Sequence, residues 1–154
     1  MPLFFAYDSY LDADLLKKYC RNARPVTRAR VLDHSLHFVR LQASQKGQLA
    51  GYIDMVDKPG DDVWGVLYRL EQDDLRFLDR YEQVPEKSRR DIIDIVTDNG
   101  SNISAYTLLV NRDSPLGRPR EQFELAIQGA KNHGLPNDYV TKLEQMLSVF
   151  SRGK

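Results

Sequence analysis

One glutamate in this chain of 154 residues stands where a carboxylate is costly. The segment EQDDLRFLDRYEQVP, residues 71–85, has helical periodicity. At 100° per residue Leu75, Phe77, Leu78 and Tyr81 share one arc, while Arg76, Asp79 and Arg80 fall outside it. Glu82 follows Leu78 by four positions and Leu75 by seven, which puts it inside the apolar arc. A carboxylate there must be paired, stand near an opening, or be used. Structural ion pairs are common, so the pattern makes Glu82 a candidate and no more. Equally, the helix can fray near Pro85 and let Glu82 reach solvent or an arginine such as Arg89 or Arg90. A second stretch invites the same question. In FFAYDSYLD, residues 4–12, an apolar run stops at Tyr7 and gives way to Asp8, Ser9 and Tyr10. It reads either as a turn or as a pocket edged by backbone amides and a hydroxyl.

Other constellations carry less chemistry. His34 and His37 are three apart in a strand and point to opposite faces, and His133 is the only other histidine, so no metal set of His or Cys is expected. Ser9 lacks the glycine-flanked elbow of a hydrolase, Cys20 has no catalytic signature around it, and no glycine loop cradles phosphate. Trp64, Tyr68 and Tyr52 fit strand packing, and Arg28, Arg30 and Arg40 a solvated strand face.

The elements that would position these residues follow from periodicity and turn chemistry. Strands are expected at 3–7, 26–32, 36–41, 50–56, 62–70, 90–97 and 103–110, with turns at Pro59-Gly60 and Asn99-Gly100. Asp12 can cap a helix carrying Leu15, Leu16 and Tyr19, ended by Asn22 and Pro25. Asp73 or Asp74 supplies the N-terminal charge of the helix that bears Glu82, and Pro85 ends it by restricting Val84. Two helices close the chain. The first buries Phe123, Ala126, Ile127 and Ala130 and stops at Gly134, with Leu135 folding back. The second starts at Asn137 and buries Val140, Leu143, Leu147 and Phe150. This order indicates an α+β fold, with a barrel or strongly curved sheet and helices around it. The unbroken run Leu3-Phe4-Phe5-Ala6 belongs inside a closed or nearly closed barrel, since an exposed edge of that composition would aggregate.

Composition narrows the function classes. A single domain spanning residues 1–154 is expected, large enough to bury roughly 70% of its unfolded surface. Twenty-two basic residues balance twenty-two acidic ones, so no net field steers nucleic acid or an anionic membrane. No apolar stretch is long enough to span a bilayer, and the N-terminus does not read as a leader. The single cysteine, Cys20, fits a reducing compartment, with the cytoplasm as the expected location.

Along nearly its whole length the sequence resembles the γ-glutamylcyclotransferase-like family. YDSYL matches that family's Tyr-Gly-Ser-Asn-Leu loop, and CRNARPVTRARVLDHSLHF resembles the stretch that follows it in bacterial members. PGDDVWGVLYRLEQDDLRFLDRYEQVP is similar to the second signature, where a glutamate follows a Leu-Asp pair. AYTLLV and GAKNHGLPNDYVTKLEQM match the C-terminal strand and helices. The resemblance implies a small mixed barrel with peripheral helices. It implies cyclisation of a γ-glutamyl group to 5-oxoproline with release of an amine, a lyase- or transferase-type reaction needing no metal or cofactor. It puts Glu82 on the catalytic glutamate and Tyr7, Asp8, Ser9, Tyr10 and Leu11 on the substrate loop. The loop's amides would hold a carboxylate or oxyanion of a small-molecule substrate. Tyr106 falls on an aromatic near the pocket.

The departures gather around that pocket. Asp8 replaces the loop glycine, Tyr10 its asparagine, Leu15 an arginine, Gln83 the glycine after the glutamate, and Phe123 a tyrosine. An aromatic is missing around Ser88-Arg89. Trp64, Gly65, Gly129, Gly134 and Pro136 keep the pattern. Asp8 adds negative charge where a substrate carboxylate should meet amides, and it adopts positive φ less readily than glycine. Three readings follow: an enzyme with a non-standard substrate, a binding module that has lost turnover, or a scaffold in which Glu82 is merely paired.

Overall fold

The computed structural model describes residues 2–41, 50–82, 84, 88–110 and 119–152. Gln83 and Pro85, and the side chains of Arg40, Tyr52, Ser88 and Phe150, lie outside the described residues. Among the described residues five strands, β1 (Leu3–Ala6), β2 (Arg24–Leu41), β3 (Ala50–Arg69), β4 (Ser88–Thr97) and β5 (Asn102–Val110), close into a barrel in the order β1-β3-β2-β4-β5. β1 is antiparallel to β3, from Leu3↔Arg69 to Ala6↔Val66, and parallel to β5 at Phe4↔Tyr106. The apolar run of β1 is thus paired on both edges, as its composition requires.

Seven strands were expected and five are found. Segments 26–32 and 36–41 are one strand, β2, and 50–56 and 62–70 are one strand, β3. The two run side by side through a bulge. Leu32 opposes Asp62 and His34 opposes Asp57, so residues 58–61 stand against Asp33 alone. Asp33 adopts φ 59°, and its carboxylate accepts the amide of Gly60 at 3.0 Å. The Pro59-Gly60 turn signal therefore kinks a continuous ladder; it does not end one. Asn99-Gly100 does make the β4–β5 hairpin, with the Gly100 amide donating to the Thr97 carbonyl at 2.9 Å.

One face of the barrel wall carries Phe5, Ala29, Val63, Leu67 and Ile95, all buried. The opposite face meets solvent or the helices. Tyr68, expected in the core, is buried there. Trp64 is only partly buried, with the Arg28 and Arg30 guanidinium groups 5.8 and 5.4 Å from its ring. Arg28 pairs with Asp98 and Arg30 with Asp62, so this strand face is solvated but not unpartnered.

Helix α1 (Ala13–Tyr19) starts at Asp12, whose Oδ1 accepts the Leu15 amide at 3.0 Å. It ends sooner than expected, capped by Cys20, and Pro25 lies within β2. Helix α2 (Gln72–Tyr81) is capped by Glu71 and Asp74 reciprocally. Only part of its apolar arc is buried. Leu75 and Leu78 are in the core, whereas Phe77 is 56% and Tyr81 50% exposed. The contact surface of a ten-residue helix on a curved wall is narrower than the arc the periodicity marks out. Helix α3 (Pro119–Asn132) buries Phe123, Ala126, Ile127 and Ala130. It stops at Gly134 (φ 69°), with the Leu135 amide returning to the Ala130 carbonyl at 3.0 Å. Helix α4 (Asn137–Arg152) buries Val140 and Leu143, with Leu147 partly buried.

Candidate active site

The stretch after β1 forms a single 3-10 turn, Ser9–Leu11. Asp8 caps it, accepting the Tyr10 amide at 3.3 Å through its side chain and the Leu11 amide at 2.9 Å through its carbonyl. The Asp12 amide donates to the Ser9 carbonyl at 3.0 Å, and Asp12 then caps α1. Two of the amides expected to face a ligand, those of Tyr10 and Leu11, are therefore engaged inside the loop. Asp8 adopts φ −120°, so the positive φ that a glycine would permit is not used here. Ser9, Tyr10 and Leu11 are buried and Asp8 is half-buried.

Helix α3 holds this turn from behind. A Cβ on Gly129 would lie 2.2 Å from the carbonyl carbon and oxygen of Leu11 and 2.6 Å from the Asp12 amide nitrogen. His133 bonds to the Leu11 backbone and, at 2.9 Å, to the Tyr68 hydroxyl, and burial lowers its pKa. Gly129→Ala is expected to destabilise the protein by about 1–3 kcal/mol, because backbone has to move. Intrinsic helix propensity favours alanine by about 1 kcal/mol, so a loss cannot come from α3 alone. Thermal unfolding reads the difference directly, and an unchanged or higher Tm would show that the turn is not seated on Gly129.

Glu82 arrives from the other side. It caps α2, its amide bonding to the Leu78 carbonyl at 2.9 Å, and its half-buried side chain points at the turn. The Tyr10 hydroxyl donates a hydrogen bond to Glu82 Oε1. The helix glutamate and the loop, 72 residues apart, are thus in direct contact. Burial raises the Glu82 pKa and the Tyr10 hydrogen bond opposes the rise. Burial, then the charge of Glu82, pushes Asp8 up to about 7. Tyr10 is driven well above its ordinary range by burial and by Glu82.

Tyr7 links β1 to the turn. It is buried, stacks on Phe5 with centroids 6.2 Å apart, and donates to the Leu108 carbonyl at 2.8 Å. Burial raises its pKa first; Asp8, Asp54 and Glu82 add to the rise while Arg89 opposes it. Asp54 and Arg89 thus stand near the same hydroxyl, and the strand pattern gave no sign of Asp54, a buried acid on β3. Tyr106 sits across the β1–β5 pair from Phe4, with the Arg90 guanidinium 5.0 Å from its ring. Arg90 pairs with Asp79 of α2 at 2.8 Å. Tyr106 therefore meets α2 through Arg90, one helical turn before Glu82. Cys20 is buried and free, with its thiol pushed up to about 12 by burial, and is unsuited to attack as a thiolate.

A sequence profile of the AIG2-like family matches residues 62–143. The chain is 32% identical to the mouse protein named gamma-glutamylcyclotransferase over 99% of its own length and 82% of that protein's. It is 30% identical to the human protein of that name, over 92% of this chain and 77% of that one. A solved structure titled gamma-glutamyl cyclotransferase superposes with a TM-score of 0.78 at 26% identity, over 93% of this chain and 86% of that one. Among the described residues no helix is long and apolar enough to cross a membrane. With a matching closed mixed barrel, matching helices and similarity along nearly the whole chain, this protein belongs to the γ-glutamylcyclotransferase-like family.

Proposed function

We propose that the chain is an enzyme that cyclises a γ-glutamyl amine or related small molecule to 5-oxoproline and a free amine, with Glu82 moving the proton. The observation that carries this reading is the contact between Glu82 and the turn after β1. It brings the misplaced helix carboxylate to the loop that family resemblance assigns to substrate. In the reaction the α-amino nitrogen of the glutamyl group attacks its own γ-carbonyl carbon. The new C–N bond forms as the amine loses a proton to the carboxylate. The bond to the leaving nitrogen then breaks as that nitrogen takes the proton back. One sheltered carboxylate serves both steps, and its raised pKa suits it to acting as base and then as acid.

Substrate preference is proposed to differ from that for ordinary γ-glutamyl amino acids. Asp8 places a carboxylate, and engaged amides, where a substrate carboxylate would need donors. The same observation supports a second reading, a binding module without turnover. Incubating the purified protein with a panel of γ-glutamyl amines and γ-glutamyl dipeptides, with 5-oxoproline measured by mass spectrometry, separates the two. Release from one class of amine supports the enzyme; binding without release supports the module. The proposed setting is the cytoplasm, with a small-molecule substrate and no nucleic-acid or membrane partner.

A further inference from the structure

We propose that Tyr10 is a positioning residue, built into this chain's loop to hold the Glu82 carboxylate in one orientation and leave its second oxygen to the reacting nitrogens. The kinetic part of this inference rests on the proposed activity; its structural part does not. The hydroxyl that reaches Glu82 Oε1 is fixed from several sides. Tyr10 is 3% exposed and packs edge-on against Phe4, with centroids 6.4 Å apart. Its backbone is locked between the Asp8 cap and the Asp12 cap, and Gly129 of α3 lies directly beneath the next residue. The end of α2 is held as well, because Tyr81 stacks on Tyr19 of α1 at 3.9 Å. Two rigid elements thus meet at one hydrogen bond.

The chemistry gives that bond a purpose. A neutral phenol donates to the ionised carboxylate and keeps Oε1 occupied in every step. Oε2 alone is then available to accept the proton from the attacking amine and return it to the leaving one. A side chain free to rotate would divide its time among orientations, and a misplaced base loses rate steeply. The charged and titratable groups beside Tyr10, besides Glu82 itself, are Asp8 in the loop and Tyr81 on α2, while Asp54 on β3 and Arg89 on β4 face Tyr7 at the end of β1. Burial, and the charge of Asp8 beside it, favour the protonated form of Glu82, while the Tyr10 hydroxyl favours the ionised form.

Tyr10→Phe keeps the ring and removes only the hydroxyl. On a turned-over γ-glutamyl substrate kcat should fall about tenfold or more with KM within about twofold. The acid limb of the kcat/KM profile should move up by about one to two pH units, since the bond favouring the ionised form is gone. A merely structural tyrosine would move neither. Carbon-13 NMR titration of the Glu82 carboxyl, assigned with Glu82→Gln, reads the same shift without any turnover. An unchanged Glu82 titration in folded Tyr10→Phe would overturn the proposal, whatever the activity. If the parent releases no 5-oxoproline from any substrate while the titration moves as expected, the positioning contact stands and the enzymatic reading fails.

Discussion

Glu82→Gln is expected to lower turnover by ~10²–10⁴-fold, equivalent to about 2.7–5.5 kcal/mol of transition-state stabilisation, while leaving the fold intact. Glutamine keeps the length of the side chain and can still accept from the Tyr10 hydroxyl, so the contact between α2 and the turn survives. It cannot take a proton from the attacking amine. The expected effect on stability has the opposite sign. Burial raises the Glu82 pKa in the folded protein, so folding favours the protonated acid. That contribution is fully present below the unfolded pKa and is lost as pH rises through the raised folded value. Wherever it is ionised, the half-buried carboxylate is therefore a burden that glutamine removes. The variant should melt at the same temperature as the parent or higher at pH 7. Inactivity together with undiminished stability is the signature of a residue kept for chemistry. Parent-like release of 5-oxoproline would take Glu82 out of the reaction.

How far the sequence revealed this site depends on the kind of signal each residue carries. Glu82 was visible because a charge on an apolar arc breaks a periodic pattern, and periodicity is the strongest signal in a single sequence. The end of α3 and the start of α4 were visible because Gly134 and Pro136 act locally. The bulge joining the halves of β2 and β3 was not, because Pro59-Gly60 permits a turn, and only the continuing partner strand decides that the ladder goes on. Phe77 and Tyr81 were misplaced for a related reason: hydrophobicity says which side chains prefer burial, not how wide the surface receiving them is. The contacts around the turn were hidden, although Gly129 keeps the family pattern and Arg89 stood out as a possible partner of Glu82. Gly129, His133, Asp54 and Arg89 approach residues 7–12 from distant segments, and nothing in their neighbours' spacing marks that approach. The Tyr10–Glu82 bond is likewise tertiary. The sequence showed that Tyr10 departs from the loop pattern, and the fold shows what the longer side chain reaches.

That contact separates two departures which the sequence alone would have reverted together. On the proposed reading, Asp8→Gly with Tyr10 kept should raise kcat/KM for an ordinary γ-glutamyl dipeptide by about ten- to a hundredfold, mainly through KM. Two effects add. The change removes a carboxylate from beside the position of the substrate's own carboxylate, and it frees the Tyr10 amide that Asp8 Oδ1 now occupies. The pH dependence checks the electrostatic part. Burial and the charge of Glu82 push Asp8 up to about 7, so raising the pH through that range makes it anionic and lowering it makes it neutral. The parent's KM for the dipeptide should therefore fall as pH is lowered from 8 to 6, and the KM of Asp8→Gly should stay nearly level. Glu82 protonation at the low end lowers kcat in both proteins and does not produce this difference in KM. Adding Tyr10→Asn to Asp8→Gly tests the other departure. The shorter amide opens space but releases Glu82, so the double variant should bind at least as well as Asp8→Gly and turn over more slowly. A double variant faster than the single would mean that Tyr10 obstructs the site and does not position its base. An unchanged KM in Asp8→Gly, flat with pH as in the parent, would remove Asp8 from substrate choice.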